Sequence, residues 1–127
     1  MTAAESNKET VRSFYDLAFN KRKPEEAVKK YAGPYYRQHN PMAGDGTEPL
    51  IGFVHYLAGA FPDFRFEFKR WIAEGDFLAV HSHLIREAGD RGQAVMDMFR
   101  LENGKVVEHW DVLQDVPEKA ENTNTMF

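Results

Sequence analysis

The chain has 127 residues, 43% hydrophobic and 13% aromatic, with a formal charge of −4; this is enough for one core, argues against disorder, and leaves no basic stripe for nucleic acid. The absence of cysteine excludes disulfides, thiolate metal sites and cysteine nucleophiles. No apolar run approaches the roughly 20 residues that span a bilayer, and the opening MTAAESNKE lacks the form of a signal peptide, so the expectation is a single cytoplasmic domain over 1–127 without membrane or nucleic-acid partners.

Thr2-x-x-Glu5 and Ser6-x-x-Glu9 both have the form of a capping box. They predict a first helix with Val11, Phe14, Tyr15 and Ala18 on one face, ending near Asn20-Lys21-Arg22. Pro24-Glu25-Glu26 opens a short second helix, which Gly33-Pro34 stops. Tyr35 to Pro41 reads as a short extended segment, because a residue before proline avoids the helical region. Thr47 is placed to cap a third helix, with Leu50, Phe53, Val54, Leu57 and Phe61 on its buried side.

From Asp63 the period changes to two. Phe64, Phe66 and Phe68 alternate with Arg65, Glu67 and Lys69 as far as about Ala73. Phe77 to Arg86 forms the next strand, with His81 and His83 sharing a face. Ala94 to Asp115 reads as a hairpin about Asn103-Gly104. The tail from Pro117 is polar until Met126-Phe127 and is expected to be irregular, with an end that docks. Three helices followed by four long antiparallel strands, with one short early strand, define an α+β domain. A sheet curved around those helices encloses a conical cavity in which polar inward residues would sit.

The hairpin turn decides which residues those are. A two-residue loop at Asn103-Gly104 sets Asp97 against Trp110 and puts Asp111 on the other face. A three-residue loop, with Gly104 as a bulge, sets Asp97 against His109 and Val95 against Asp111. A one-residue slip exchanges every face. The second register is the expected one: it gathers Val95, Asp97, Phe99, Leu101, Val107, His109, Asp111 and Leu113 on one side. The opposite side carries Met96, Met98, Arg100, Val106, Glu108, Trp110 and Val112. Its apolar content suggests a homodimer through the outer sheet face.

The segments FYDLAFNKRKPEEAV, YRQHNP, EGDFLAVHSH and MDMFRLENGKVVEHWDV, with the NTNTMF end, resemble a SnoaL-like protein (polyketide-cyclase-like) of the nuclear-transport-factor-2-like superfamily. The resemblance covers nearly the whole chain. It implies a cystatin-like cone with three N-terminal helices packed on a strongly curved mixed, mainly antiparallel sheet. Asp111 in HWD matches the acid/base aspartate of the polyketide cyclases. Limonene epoxide hydrolases keep an Asp there too, but their Arg and second Asp fall on His81 and His83. Asp97 matches the hydrogen-bond-donating Asp of ketosteroid isomerases. The isomerase base falls on Asn40, and its oxyanion-hole tyrosine falls near Phe14, with Tyr15 adjacent.

These residues carry two expectations. In the first, the chain is a cofactor-independent enzyme doing aldol-type cyclisation, isomerisation or hydration on an apolar carbonyl compound. Asp111 is then the acid/base, because a carboxyl in an apolar cavity has its pKa raised towards working pH. Asp97 stabilises developing charge, and His83 or His109 sets the protonation of Asp111. His81, His39, Asn40, Tyr15, Phe99 and Trp110 line the ligand. In the second, the same pocket holds an apolar small ligand without turnover. Plainer roles stand beside these: Asp111 bonded to His109 or a backbone amide, Asp97 paired with a histidine, Gln38, His39 and Asn40 as strand-end contacts, and Tyr36 and Trp110 as packing. His39, His81, His83, His109, Asp97 and Asp111 could supply metal ligands, but their spacing matches no metal motif, and no metal is expected.

Overall fold

Thr2 opens the first helix as its spacing predicts. Its hydroxyl accepts from the Glu5 N–H at 3.1 Å, and the Thr2 N–H donates to the Glu5 carboxylate at 2.7 Å. In this computed structural model, which describes all 127 residues, α1 spans Ala3–Tyr15 and buries Asn7, Val11, Phe14 and Tyr15. Ser6-x-x-Glu9 lies inside the helix. The backbone then widens into a π-helical segment, Asp16–Asn20, which brings Asn20 to the sheet. The Asn20 amide donates to the Phe66 carbonyl at 3.1 Å and accepts from the Phe66 N–H at 2.8 Å. Arg22 follows with a φ of 55°. Its guanidinium donates to the carbonyls of Asn20, Pro62 and Phe64, which holds this left-handed non-glycine backbone in place.

Helix α2, Pro24–Tyr31, carries acids in its first turn and Lys29 and Lys30 in its last, the order that complements a helix dipole. It runs directly into β1, Ala32–Gln38, so the early strand begins sooner than the proline suggested. Helix α3 spans Thr47–Ala60. Thr47 is its first residue rather than its cap; Gly46, with a φ of 89°, holds the cap position. Leu50, Val54 and Leu57 are buried, whereas Phe53 is half exposed.

Strands β2 (Arg65–Glu74), β3 (Phe77–Ile85), β4 (Gln93–Glu102) and β5 (Lys105–Asp115) form a meander. The sheet order is β1-β5-β4-β3-β2, with β1 parallel to β5 and all other pairs antiparallel. The sheet is mixed and open. Its inner face packs Phe66, Leu78, Val80, Leu84, Val95 and Phe99 against Val11, Phe14, Tyr15, Leu50, Val54 and Leu57 in one core. The architecture is the expected α+β arrangement of three helices on a mainly antiparallel sheet.

The hairpin follows neither expected register in full. Asn103 and Gly104, with φ values of 50° and 74°, make a two-residue turn, so Glu102 pairs with Lys105 and Leu101 with Val106. The register then shifts, and Arg100 pairs with Glu108, Phe99 with His109 and Asp97 with Asp111. The extra residue is Val107, not Gly104. This bulge restores the parity of the expected register, so Asp97, Phe99, His109 and Asp111 do share the inner face. Their cross-strand partners differ by two residues, and Val106 joins the core.

Gly33 accommodates that bulge. A Cβ built on Gly33 would lie 2.6 Å from Val107 Cγ1, a distance at which the buried valine side chain or one of the two strands has to shift. Gly33→Ala is therefore expected to cost about 1–3 kcal/mol, the usual range for overpacking. It should appear as a lower thermal midpoint, and an unchanged midpoint would mean that the bulge tolerates the added methyl.

Candidate functional site

The site grows from the alternation of three strands. On β4, Asp97 lies between inward Val95 and Phe99. On β5, His109 and Asp111 follow the bulge onto the same face. On β1, Tyr36 points inward, and Gln38 reaches His109. Asp97 and His109 are buried, and Asp111 is nearly so.

Asp97 is the centre of the network. Its Oδ2 accepts from the Tyr15 hydroxyl at 2.8 Å, and its Oδ1 lies 2.7 Å from His109 Nε2. His109 Nδ1 lies 2.8 Å from Gln38 Oε1. The imidazole is held between Tyr36 and Phe99, with ring centroids 6.3 and 4.7 Å away. Tyr15 is itself packed by Phe19, Phe66, Phe68 and Phe99. Burial, and then the Asp97 charge, push the Tyr15 hydroxyl well above the usual phenol range; it remains a donor. Phe14, beside it in sequence, packs on Tyr36 and Phe99 instead, so Tyr15 is the tyrosine at Asp97.

Asp111 stands next to this network. Its Oδ2 is 3.9 Å from His109 Nε2, and its buried Oδ1 has no hydrogen-bond partner. Burial raises its pKa above the usual carboxylate value, and the neighbouring Asp97 adds to the rise. His109 and, more weakly, the Asn40 side chain oppose it. The arrangement therefore contains a carboxyl with a free oxygen and a raised pKa, beside a buried hydrogen-bonded network of Tyr15, Asp97, His109 and Gln38.

Asp97, His109, Asp111, Tyr15 and Phe99 are thus brought together, with Asn40 at the Asp111 end. His81 and His83 are not. Leu78, Val80, Ser82 and Leu84 fill the inner side of β3, so both histidines occupy the outer face. There His81 meets Arg70, and His83 contacts the Arg91 carbonyl at 2.7 Å and stacks on Phe127 at 4.0 Å. His83 accordingly does not reach Asp111, and the partner of Asp97 is His109. The docked tail end is Phe127. His39 and Trp110 also lie on the outer side, stacked at 4.7 Å with an interplanar angle of 3°. His39 contacts Glu108 at 2.7 Å, and that contact holds Glu108 below the usual carboxylate range despite its burial, with help from Arg100. Trp110 pairs across the sheet with Met98, on the side away from Asp97.

Gln38 is the participant that the sequence places only as a strand-end contact. Its signal is the alternation of Tyr36, Gln38 and Asn40 against Tyr35, Arg37 and His39. Asp97, His109 and Asp111 place one ligand atom each within 4.8 Å of one another. Two of the three already bond to each other, so a cation there would have to displace the proton between them. A separate cleft of about 620 Å³ lies between α1 and α2, lined in part by Arg12, Asp16, Lys21 and Lys30. Phe68 walls it off from the site, with its ring 5.0 Å from that of Tyr15.

An open, mainly antiparallel sheet wrapped on three helices, with polar side chains turned inward on its last hairpin, is the nuclear-transport-factor-2-like fold. The profile of the SnoaL-like domain matches residues 11–109, and the chain belongs to that family. Solved structures agree on the fold. TsrD from Streptomyces laurentii superposes with a TM-score of 0.73 at 21% identity, covering 89% of this chain and 91% of that one. A candidate ketosteroid isomerase from Kribbella flavida gives 0.75 at 21% identity, with coverage of 96% and 87%. A candidate polyketide cyclase from Acidithiobacillus ferrooxidans gives 0.68 at 19% identity, with coverage of 89% and 91%. No curated protein matches the chain. No helix is long and apolar enough to cross a membrane.

Proposed function

We propose that this protein is an acid/base enzyme acting on an apolar carbonyl compound, by aldol-type cyclisation, isomerisation or hydration, using its own side chains. The observation that supports this best is Asp111: a largely buried carboxyl with one unpartnered oxygen and a raised pKa. A carboxyl so placed can act as a general acid or base towards a bound substrate. Asp97 would stabilise a developing enolate through the proton it holds with His109 Nε2, the position that faces Asp111; such preorganised stabilisation is usually the larger catalytic term. Solved structures named for isomerase and cyclase activities support the same class.

Turnover of a panel of β-keto esters and polyketide-like ketones is the direct test. A tightly retained ligand without turnover would favour the alternative, a small-ligand binding protein using the same residues. Native mass spectrometry of the purified protein, followed by denaturing release, distinguishes a retained organic ligand or metal from an empty site.

The outer sheet face is proposed to pair two copies of the chain. Ile72, Phe77, Met96, Met98 and Val112 are exposed there, and grouped apolar side chains of this kind mark protein–protein contacts. Light scattering is expected to give twice 14.6 kDa, and Met98→Asp is expected to halve that mass. A wild-type protein that stays at 14.6 kDa at micromolar concentration would remove the proposal.

A further inference from the structure

Both nitrogens of His109 are committed, and one of the two contacts decides the other. Gln38 Oε1, 2.8 Å from Nδ1, also accepts from the Asn40 backbone N–H at 3.0 Å. A backbone N–H cannot donate to an amide NH₂ group, so the atom facing both Asn40 and His109 is oxygen. An amide oxygen has no hydrogen to give, so Nδ1 must carry one.

We propose that Gln38 is a positioning residue: its amide oxygen, pinned by the Asn40 N–H, keeps a proton on His109 Nδ1 and so makes Nε2 and Asp97 share a single proton. Two bare acceptors 2.7 Å apart would repel, so a proton lies between them, on the carboxyl or on the ring. Tyr15 donates to the other carboxyl oxygen and competes for neither position. Asp111 Oδ2, at 3.9 Å from Nε2, is the second carboxylate turned towards that proton. With Nδ1 closed by Gln38, the ring has one exchangeable position, and it faces the two aspartates. The use of this proton in turnover rests on the acid/base reading above; its placement does not.

Long-range ¹H–¹⁵N spectra of the whole protein report the state of each ring nitrogen. The His109 signals are identified by their loss in His109→Gln. The wild type is expected to show Nδ1 protonated at every pH across the neutral range. Gln38→Met removes the acceptor at nearly constant shape. It is expected to move His109 to the other tautomer, with Nε2–H donating to Asp97 and Nδ1 bare. Gln38→Glu restores an acceptor and is expected to restore the Nδ1 proton. A bare Nδ1 in the wild type, or a Gln38→Met spectrum equal to the wild type, overturns the proposal. If Gln38→Met does not fold, a bare Nδ1 in Gln38→Glu overturns it equally. Unchanged turnover in Asp111→Asn would defeat the acid/base reading alone and leave these spectra as expected.

Discussion

Replacing Asp111 by Asn is expected to lower turnover by about 10²–10⁴-fold, the usual contribution of a positioned acid or base, without weakening the fold. The amide keeps the shape of the carboxyl and cannot take a proton. Stability should move the other way. Because the folded-state pKa of Asp111 is raised, the folded chain holds that proton more tightly than the unfolded chain. The stability linked to it is fully present below the ordinary value of 3.8 and is lost as pH rises through the raised folded value. Above that window the wild type carries a poorly solvated charge that the Asn variant lacks. Thermal unfolding at neutral pH should therefore give Asp111→Asn a midpoint equal to or above the wild type. Its stability should also vary less with pH across the window. Full turnover in the variant would remove Asp111 from the chemistry, and a lower midpoint would show that its charge is satisfied by a contact the fold depends on.

Asp97→Ala is expected to be the most damaging single change to the fold. It strips the acceptor from the Tyr15 hydroxyl and the partner from His109 Nε2, both in buried surroundings. Breaking a buried pair from one side costs about 3–5 kcal/mol, a large share of the stability of a domain this size. Asp97→Asn is the informative contrast. Its oxygen can still accept from Tyr15, and its NH₂ can donate to a bare Nε2, so denaturant unfolding should show a far smaller loss. The amide nevertheless fixes His109 as the neutral ring and ends proton sharing. Equal midpoints for the Ala and Asn variants would mean that the network adds little to stability.

The sequence carried the fold well because its signals are local and repeated. The Thr2–Glu5 box, the acids after Pro24 and the Phe64-Phe66-Phe68 alternation each name an element, and each is present. What it carried poorly is counting across a turn. A bulge has no residue type of its own: Val107 is an ordinary strand valine, and only Gly33 across the sheet marks the space it needs. The inward facing of Asp97, His109 and Asp111 was legible because the assumed extra residue and the real one preserve the same parity. His81 and His83 mislead, because an ionisable side chain on a strand looks like part of a site whichever face it occupies. The plainer pattern of Leu78, Val80, Ser82 and Leu84 already put the histidines outside, with Ser82 fully buried among them. The role of Gln38 is not legible in sequence because a proton placement needs three partners in space, and those partners come from two strands and the loop that follows β1.

The Asn20 contact has a bearing on how copies of this chain meet in solution. β2 is an edge strand, and its outer rim offers unpaired backbone groups to any passing strand. Asn20 fills both hydrogen-bonding positions of Phe66, as a strand one residue long would. A register irregularity between Phe68 and Arg70 then bends the rim, and Arg65, Glu67, Lys69 and Arg70 charge it. An incoming strand would find its first rung taken, its second distorted and its path lined with charge. The sheet is thereby closed to fibre-like growth through β2, and the π-helical widening that brings Asn20 there acts as the stopper.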